Sequence, residues 1–498
     1  MALASQALKY NYVIIQPIEG NAVDLTGHLQ YIEYFENIMS PTISMNMKIS
    51  STVNFVSNLP IRGGEMIAME VETLSGTLKF GDIEKDQGIV PGSGELYVYK
   101  LENLDQPSMA QTFTLKITSP EFFTNETSRC MKKYKPATID VHVKDILGNT
   151  MQIDSDKFDD LIESTTNSYS FIGNTKKPFH TISWLCPKAI KGSKQGVSGE
   201  GEQAKTVGTA GYLFFENRKG FNFKSIESLV ARTRKSEGES SENADAKIRG
   251  EEIHGPYLHP GMGAMGNAYK LEENFKINHF HVNRGTDIRK ALAVGQYANR
   301  TVFFDSLTHV VSNYNYNLLP KDKKKKDDGA LQNQLGDVDE NIVGISSDLS
   351  SANSRLFVRI SDHGTLGIGA QGFETSGIDQ AYQAKAASRY NQLFSQSIDI
   401  QIPLNTRIKV GDLINCVFPE MNQGMSSELD QSASGNYLVT RLNHHIQPNA
   451  SFSSLNLVRD SYGYAKITPT YSQGPQTDEK TYESNRKKQR RLRANQFY

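Results

Sequence analysis

Short runs of apolar and β-branched residues, broken by Gly, Pro and Asn, fill residues 9–145. LKYNYVIIQPI, ISMNMKISSTVNFV, EMIAMEVETL, ELYVYKL, QTFTLKITS and ATIDVHVKDI each read as a strand, with apolar side chains recurring at a spacing near two. Strands in succession with turn residues between them predict one antiparallel β domain over 1–145, built as a small barrel.

The period changes after that. SDKFDDLIEST and KPFHTISWLCPKAI carry helical spacing, with Pro187 placed to end the second helix. GYLFFENRKGFNFKSIESLVART reads as strand, glycine turn, strand and short helix, so 146–269 is expected to be a mixed α/β domain. Its polar, Gly-rich stretches at 191–209 and 234–267 read as long loops. Strand patterns return over 270–316 in ENFKINHFHV and NRTVFFDSLTHVVSNYNYN, around a short helix in TDIRKALAVGQYA with Thr286 as its N-cap. The lysine run of 320–328 marks an exposed loop. Ile378, Tyr382, Ala386, Tyr390 and Leu393 recur at helical spacing in IDQAYQAKAASRYNQLF, which predicts a helix there. Strands resume at 397 and run to about 459, and the polar, basic tail 465–498 has little to bury.

One stretch repeats another. GELYVYKLENLDQP (94–107) set above GNYLVTRLNHHIQP (435–448) pairs Gly94 with Gly435, Val98 with Val439, Leu101 with Leu442 and Pro107 with Pro448. Upstream of each lies a Gly-acidic dipeptide followed by an apolar strand: Gly64-Glu65 before MIAMEVE, Gly411-Asp412 before LINCVF. Downstream of each lies one further strand, QTFTLKITS or FSSLNLVRD. The repeated order predicts two β domains of related design, one N-terminal and one assembled near the C-terminus. Two such domains per chain, in a trimer, would present six near-equivalent elements around one axis.

At 498 residues the chain has room for several cores, and its 54 basic against 55 acidic residues create no global field for nucleic acid or an anionic membrane. Cys130, Cys186 and Cys416 lie far apart with no CxxC, which excludes a thiolate zinc site and a disulfide framework. No run approaches the ~18 apolar residues of a membrane helix, and the N-terminus lacks the pattern of a secretory signal.

Candidate chemistry is sparse. His444 and His445 are adjacent; in a strand they point to opposite faces and are not expected to chelate one ion. Leu438, Leu442, His444 and Ile446 would share one face, Tyr437, Arg441, Asn443 and His445 the other. His279 and His281 do share a face, but no acidic or cysteine residue stands at a ligand spacing nearby. GVSGEGEQAKT (196–206) imitates a phosphate loop with Lys205 misplaced and no apolar strand before it. Asp159-Asp160 and Glu272-Glu273 sit in polar segments, where a solvated role is expected. The residues therefore predict no catalytic, cofactor-binding or metal-binding site.

Several stretches resemble the hub protein of contractile-tail, T-even-like bacteriophage baseplates. Pro403, Asn405, Thr406, Gly411, Asp412 and Ile414 match one strand-pair motif of that family, and Gly435, Tyr437 and Val439 a second. Arg459, Asp460 and Gly463 match its closing motif, and Phe215, Glu216, Gly220, Phe221, Phe223, Ser225 and Ile226 match its F-(Y/F)-E-x-x-x-G-F-x-F-x-S-(I/L) segment. The resemblance implies a mixed, β-rich α+β chain with two tube-forming antiparallel β-barrel domains and α/β insertions, the second barrel combining 270–316 with 395–464 around an insertion over 317–394. It further implies a homotrimer that joins a hexameric tail tube to a trimeric central spike, contacts baseplate wedges, and lets DNA pass without specific binding or membrane insertion. Such a protein is non-enzymatic, has no cofactor, and resides in the virion tail baseplate after assembly in the host cytoplasm. A tail-associated cell-wall hydrolase and the hub of a phage-derived contractile injection device are the alternatives.

Overall fold

The computed structural model describes residues 8–18, 20–52, 61–84, 88–105, 110–191, 209–230, 253–260, 275–283, 288–306, 309–317, 354–360, 377–419, 430, 433–448 and 450–460. The tail 465–498, the loop 320–345, the phosphate-loop imitation, Glu272-Glu273, Thr286 and Gly463 lie outside these residues.

Strand alternation builds the first part. β1 (Leu8–Gln16), β2 (Leu29–Asn37), β3 (Ser44–Ser51), β4 (Met66–Thr73), β5 (Leu96–Asp105) and β6 (Gln111–Thr118) are all strands of one large, mostly antiparallel sheet. β3 shows the cause plainly: Met45, Met47 and Ile49 are buried while the residues between them reach the other face. The hydrogen-bonded order is β2–β3–β6–β5–β4–β1.

The last of the expected strands is not one. After β7 (Lys133–Thr138), residues Ile139–Asp145 form helix α2, because Ile139, His142, Val143, Ile146 and Leu147 recur at three and four residues and bury one helical face. That face does not join the large sheet. It packs with Cys130, Tyr134, Phe171, Ile182, Tyr212 and Phe223 in a second hydrophobic cluster. The cluster is completed by β8 (Ser168–Ile172), α3 (Pro178–Leu185) and the hairpin β9 (Tyr212–Asn217) and β10 (Gly220–Ser225), while α1 (Glu121–Thr127) follows β6 and α4 (Ile226–Val230) packs Ile226, Leu229 and Val230 into the core of the large sheet. SDKFDDLIEST makes only two single 3-10 turns, at Ser155–Lys157 and Asp159–Leu161. Pro187 does end α3, in a 3-10 turn over Cys186–Lys188.

Two further placements depart from the sequence reading. Residues within the polar loop 234–267 form β11 (Ile253–Leu258), a member of the large sheet. Among the described residues of 270–316, β12 (His279–Asn283) joins that sheet and Lys276 bridges to Leu258 of β11. After α5 (Ile288–Val294), β13 (Ala298–Phe304) lies between β14 (Val311–Asn317) and β15 (Arg355–Ile360) in a separate three-stranded sheet. A parallel β13–β15 pairing across a long connection is invisible to local alternation, which specifies a face but not a neighbour.

α6 (Gly377–Leu393) then leads into β16 (Gln396–Pro403), β17 (Leu413–Val417), β18 (Gly435–Ile446) and β19 (Phe452–Arg459). Their order with β11 and β12 is β12–β16–β19–β18–β17–β11. This reproduces the first half position by position: β2, β3, β6, β5, β4, β1 against β12, β16, β19, β18, β17, β11. Two differences separate the halves among the described residues, the first being that only the first half carries the short strands Val23–Asp24, beside β1, and Gly76–Phe80, beside β4. The second is that β1 meets β4 antiparallel, whereas β11 meets β17 parallel. The halves join through β18 and β2 into one continuous sheet with a shared core.

Candidate functional site at the joint of the two sheet halves

The repeat holds at the level of single hydrogen bonds. The Gly64 N–H donates to the Val98 carbonyl and the Val98 N–H to the Glu65 carbonyl, at 2.7 and 2.9 Å. Gly411, Val439 and Asp412 form the same reciprocal pair at 3.1 and 2.9 Å. Both glycines have φ near +95°, at +96° and +93°, which explains why glycine stands at each. Each acidic side chain folds back three residues, Glu65 accepting from the Arg62 N–H and Asp412 from the Lys409 N–H. Each long strand then bulges one residue past its valine, at Tyr99 in β5 and at Thr440 in β18.

β18 spends its two lengths on different partners. Leu438 to Gly435 pair with β17, and Arg441 to Ile446 pair with Asn37 to Ile32 of β2. His444 and His445 therefore sit at the joint, on opposite faces as strand alternation requires. His444 is fully buried against Tyr34, its Nδ1 2.8 Å from Ser453 Oγ, and burial drives its pKa down to about 3, with the Arg218 charge adding to the effect. His445 faces outward, with Nδ1 3.5 Å from Glu33 Oε1. The bulge at Thr440 corrects the expected faces upstream of it: Val439 and Tyr437 take the parity of Leu442, His444 and Ile446, and Leu438 the opposite one.

The outward face carries an open groove of ≈ 710 Å³ across the joint, lined in part by Asn37, His279, His281, Asp399, Arg441 and Asn443. His279 and His281 are exposed there, opposite Gln401 and Asp399 in register. Among the described residues no three His, Cys, Asp or Glu side chains are grouped to hold a metal. The three cysteines are buried and separate, and Asp159 is paired with Lys144 on the surface.

Beneath the joint lies a buried polar network that the sequence reading passed over. Glu36 accepts from the Tyr34 hydroxyl (2.7 Å), the Arg218 N–H (2.9 Å) and the Val410 N–H (2.6 Å), so one carboxylate touches the first half, the hairpin and the second half. Burial raises its pKa. Glu216 accepts from the Ile43 N–H (2.9 Å) and Ser119 Oγ (2.7 Å), and Asn217 Nδ2 donates to the Val410 carbonyl (3.1 Å). The β9–β10 hairpin is thus a fastener: Glu216 and the Arg218 N–H hold the first half, while Asn217 and the Arg218 guanidinium, which donates to the Thr406 carbonyl, hold the second. At the end of the second half, Arg389 Nη1 meets Asp460 Oδ2 at 2.7 Å with both side chains fully buried, and Arg459 Nη1 donates to the Ser434 carbonyl. A signal for Glu36 was present, because it shares the parity of buried Ile32 and Tyr34 in β2. Arg389 gave none, lying among alanines on a helix whose apolar spacing names other positions.

Two of these groups predict opposite pH dependences. Burial, with nearby Glu121, pushes Glu216 up from 4.5 to about 8, so the folded chain keeps a proton that the unfolded chain has released. Its contribution falls as pH rises from about 4.5 to 8. His444 refuses, down to about 3, a proton that the unfolded chain takes near 6.5, so its contribution falls as pH drops through that window. Each slope approaches ~1.4 kcal/mol per pH unit. Urea midpoints measured from pH 6.5 to 8.5 should decline in the wild type and flatten in Glu216→Gln; an unchanged slope in the variant would count against this assignment.

No protein-family profile matches the sequence, and no curated protein matches it. Among solved structures, the chain is similar to a tail protein from Neisseria meningitidis MC58, at 9% identity over 90% of this chain and 96% of that one, with a TM-score of 0.44. It is similar to the 43 kDa tail protein of prophage MuSo2 from Shewanella oneidensis, at 8% identity over 91% and 99%, with a TM-score of 0.46. A third is the c3393 protein of E. coli, a component of the type VI secretion system with structural similarity to T4 bacteriophage tail proteins gp27 and gp5, at 9% identity over 93% and 79%, with a TM-score of 0.40. With TM-scores below 0.5 and identities below 10%, these likenesses do not establish a family.

Proposed function

We propose that this chain is a structural, non-enzymatic hub of a contractile tail baseplate or of a related injection device. Three copies close around an axial channel, joining a sixfold tube to a threefold spike, beside wedge proteins and within the virion tail. The observation that carries this reading is the duplicated sheet: six strands in one order, repeated, and joined edge to edge within a single chain. Each half is the unit of a tube-forming barrel, and three chains supply six units.

The character of the outward face supports passage rather than capture of DNA. Across that face the acidic Glu33, Glu102 and Asp399 stand among the basic Lys48, Lys100, Lys116 and Arg441, and Glu102 is paired with Lys100 and Lys116. Among the described residues these acidic side chains interrupt the basic track that displacing counterions from a phosphate backbone would need. A hydrolase would need paired carboxylates in a cleft. Of the two carboxylates that line the groove, Glu36 is already committed to three hydrogen bonds that hold the halves together.

Mass photometry of the purified full chain, followed by electron microscopy, tests the reading. A trimer with an open centre is expected. A stable monomer at micromolar concentration, or reproducible turnover of peptidoglycan, would overturn it.

A further inference from the structure

Two edges of the large sheet have no strand partner among the described residues, and the internal repeat matches one to the other. β18 pairs with β17 along its first part and with β2 along Arg441 to Ile446. Its counterpart β5 pairs with β4 only at Leu96 and Tyr97, leaving the same side of Lys100 to Asp105 unpaired. At the other end, β2 lies between β3 and β18, whereas its counterpart β12 pairs only with β16. The open stretch of β5 and the open edge of β12 are thus the two sides of the β18–β2 joint, separated to opposite ends of the chain.

We propose that residues 102–105 of β5 pair antiparallel with β12 of a second copy of this chain, repeating between chains the joint that β18 and β2 make within one. This rests on the trimeric hub reading above. The contact is head to tail, and it covers both of these edges once three copies have closed the ring.

The register follows from the strands on either side. Phe452 of β19 lies opposite His445, and at the corresponding place Thr112 of β6 lies opposite Asp105. One extra residue in β5 between Glu102 and Asp105, where Asn103 takes φ +53°, brings Asp105 rather than Leu104 to that place. Likewise Asn46 of β3 lies opposite Glu33, and Asp399 of β16 lies opposite His281. Within the chain His445 and Glu33 face each other across the joint at 3.5 Å. Between chains the same register sets Asp105 against His281. The acid and the imidazole are retained with their strands exchanged. Both side chains, and Leu104 beside them, are exposed, as an unassembled interface requires.

The test uses the full chain carrying Asp105→Cys and His281→Cys together; the native cysteines are buried. Mild oxidation should produce a covalent trimer on a non-reducing gel, absent from either single-cysteine variant. The second measurement is trimer dissociation: Asp105→Arg should weaken it by about fivefold, and His281→Glu added to it should restore it. A trimer that neither cross-links nor responds to Asp105→Arg overturns this pairing while leaving the hub intact. A wild-type chain that is monomeric before oxidation overturns the hub reading itself.

Discussion

Gly220→Ala is expected to cost at least ~3 kcal/mol of stability and to loosen the two sheet halves from each other. Gly220 has a φ of +129°, and a Cβ there would lie 1.9 Å from the Lys157 carbonyl oxygen and 2.8 Å from its carbon. The obstacle is backbone, so no rotamer change relieves it. The hairpin would have to lift off the 155–161 segment, and Glu216, Asn217 and Arg218 would lift with it from the two halves they fasten. Gly92 is the control, with φ +82° and nothing within 4 Å of an added Cβ. Gly92→Ala should show only the backbone penalty of ~1 kcal/mol. Urea unfolding of the two variants separates close approach from conformational strain; equal losses would refute the argument from contact.

The second large effect is expected at Asp412, and it compares two positions that the repeat makes equivalent. Asp412 is fully buried and holds Lys409 Nζ at 2.9 Å and His254 Nε2 at 3.0 Å, besides the Lys409 N–H. Burial alone would raise its carboxyl, but the hydrogen bond from His254 and the Lys409 charge outweigh burial and hold it below the usual range. Asp412→Ala leaves a buried ammonium without its carboxylate, which should cost ~3–5 kcal/mol. At Glu65 the same loop has no lysine: its carboxylate accepts the Arg62 and Gly63 N–H groups. Glu65→Ala should therefore cost only ~1–3 kcal/mol. The Asp412 contribution is present above its ordinary pKa and is lost as pH falls through its depressed one. The excess of Asp412→Ala over Glu65→Ala should accordingly shrink in strong acid. Unfolding curves at pH 7 and near pH 3 check both statements.

Much of the candidate site was written in local pattern. Alternation separated His444 from His445, and the Gly-acidic turns marked where each half begins its central hairpin. The hairpin motif around Phe215, Glu216 and Gly220 was visible as a motif, but its role was not. Glu216 became a fastener only when Ile43 and Ser119 came within hydrogen-bond distance, from residues 173 and 97 positions away. Arg389 and Asp460 show the same limit, because a buried ion pair across 71 positions has no local signature.

The sequence by itself determined that much of the described chain would be strand, that one half would echo the other, and which residues of an unbulged strand such as β3 would face inward. Those properties follow from the two-residue period of a strand and from glycines that only certain turns require. The tertiary structure alone decided that β18 would lie beside β2, that β13 and β14 would leave the large sheet, and that α2 would join a second core. Strand neighbours are chosen through backbone N–H and C=O groups that nearly every residue carries, so their identity emerges only when the faces pack.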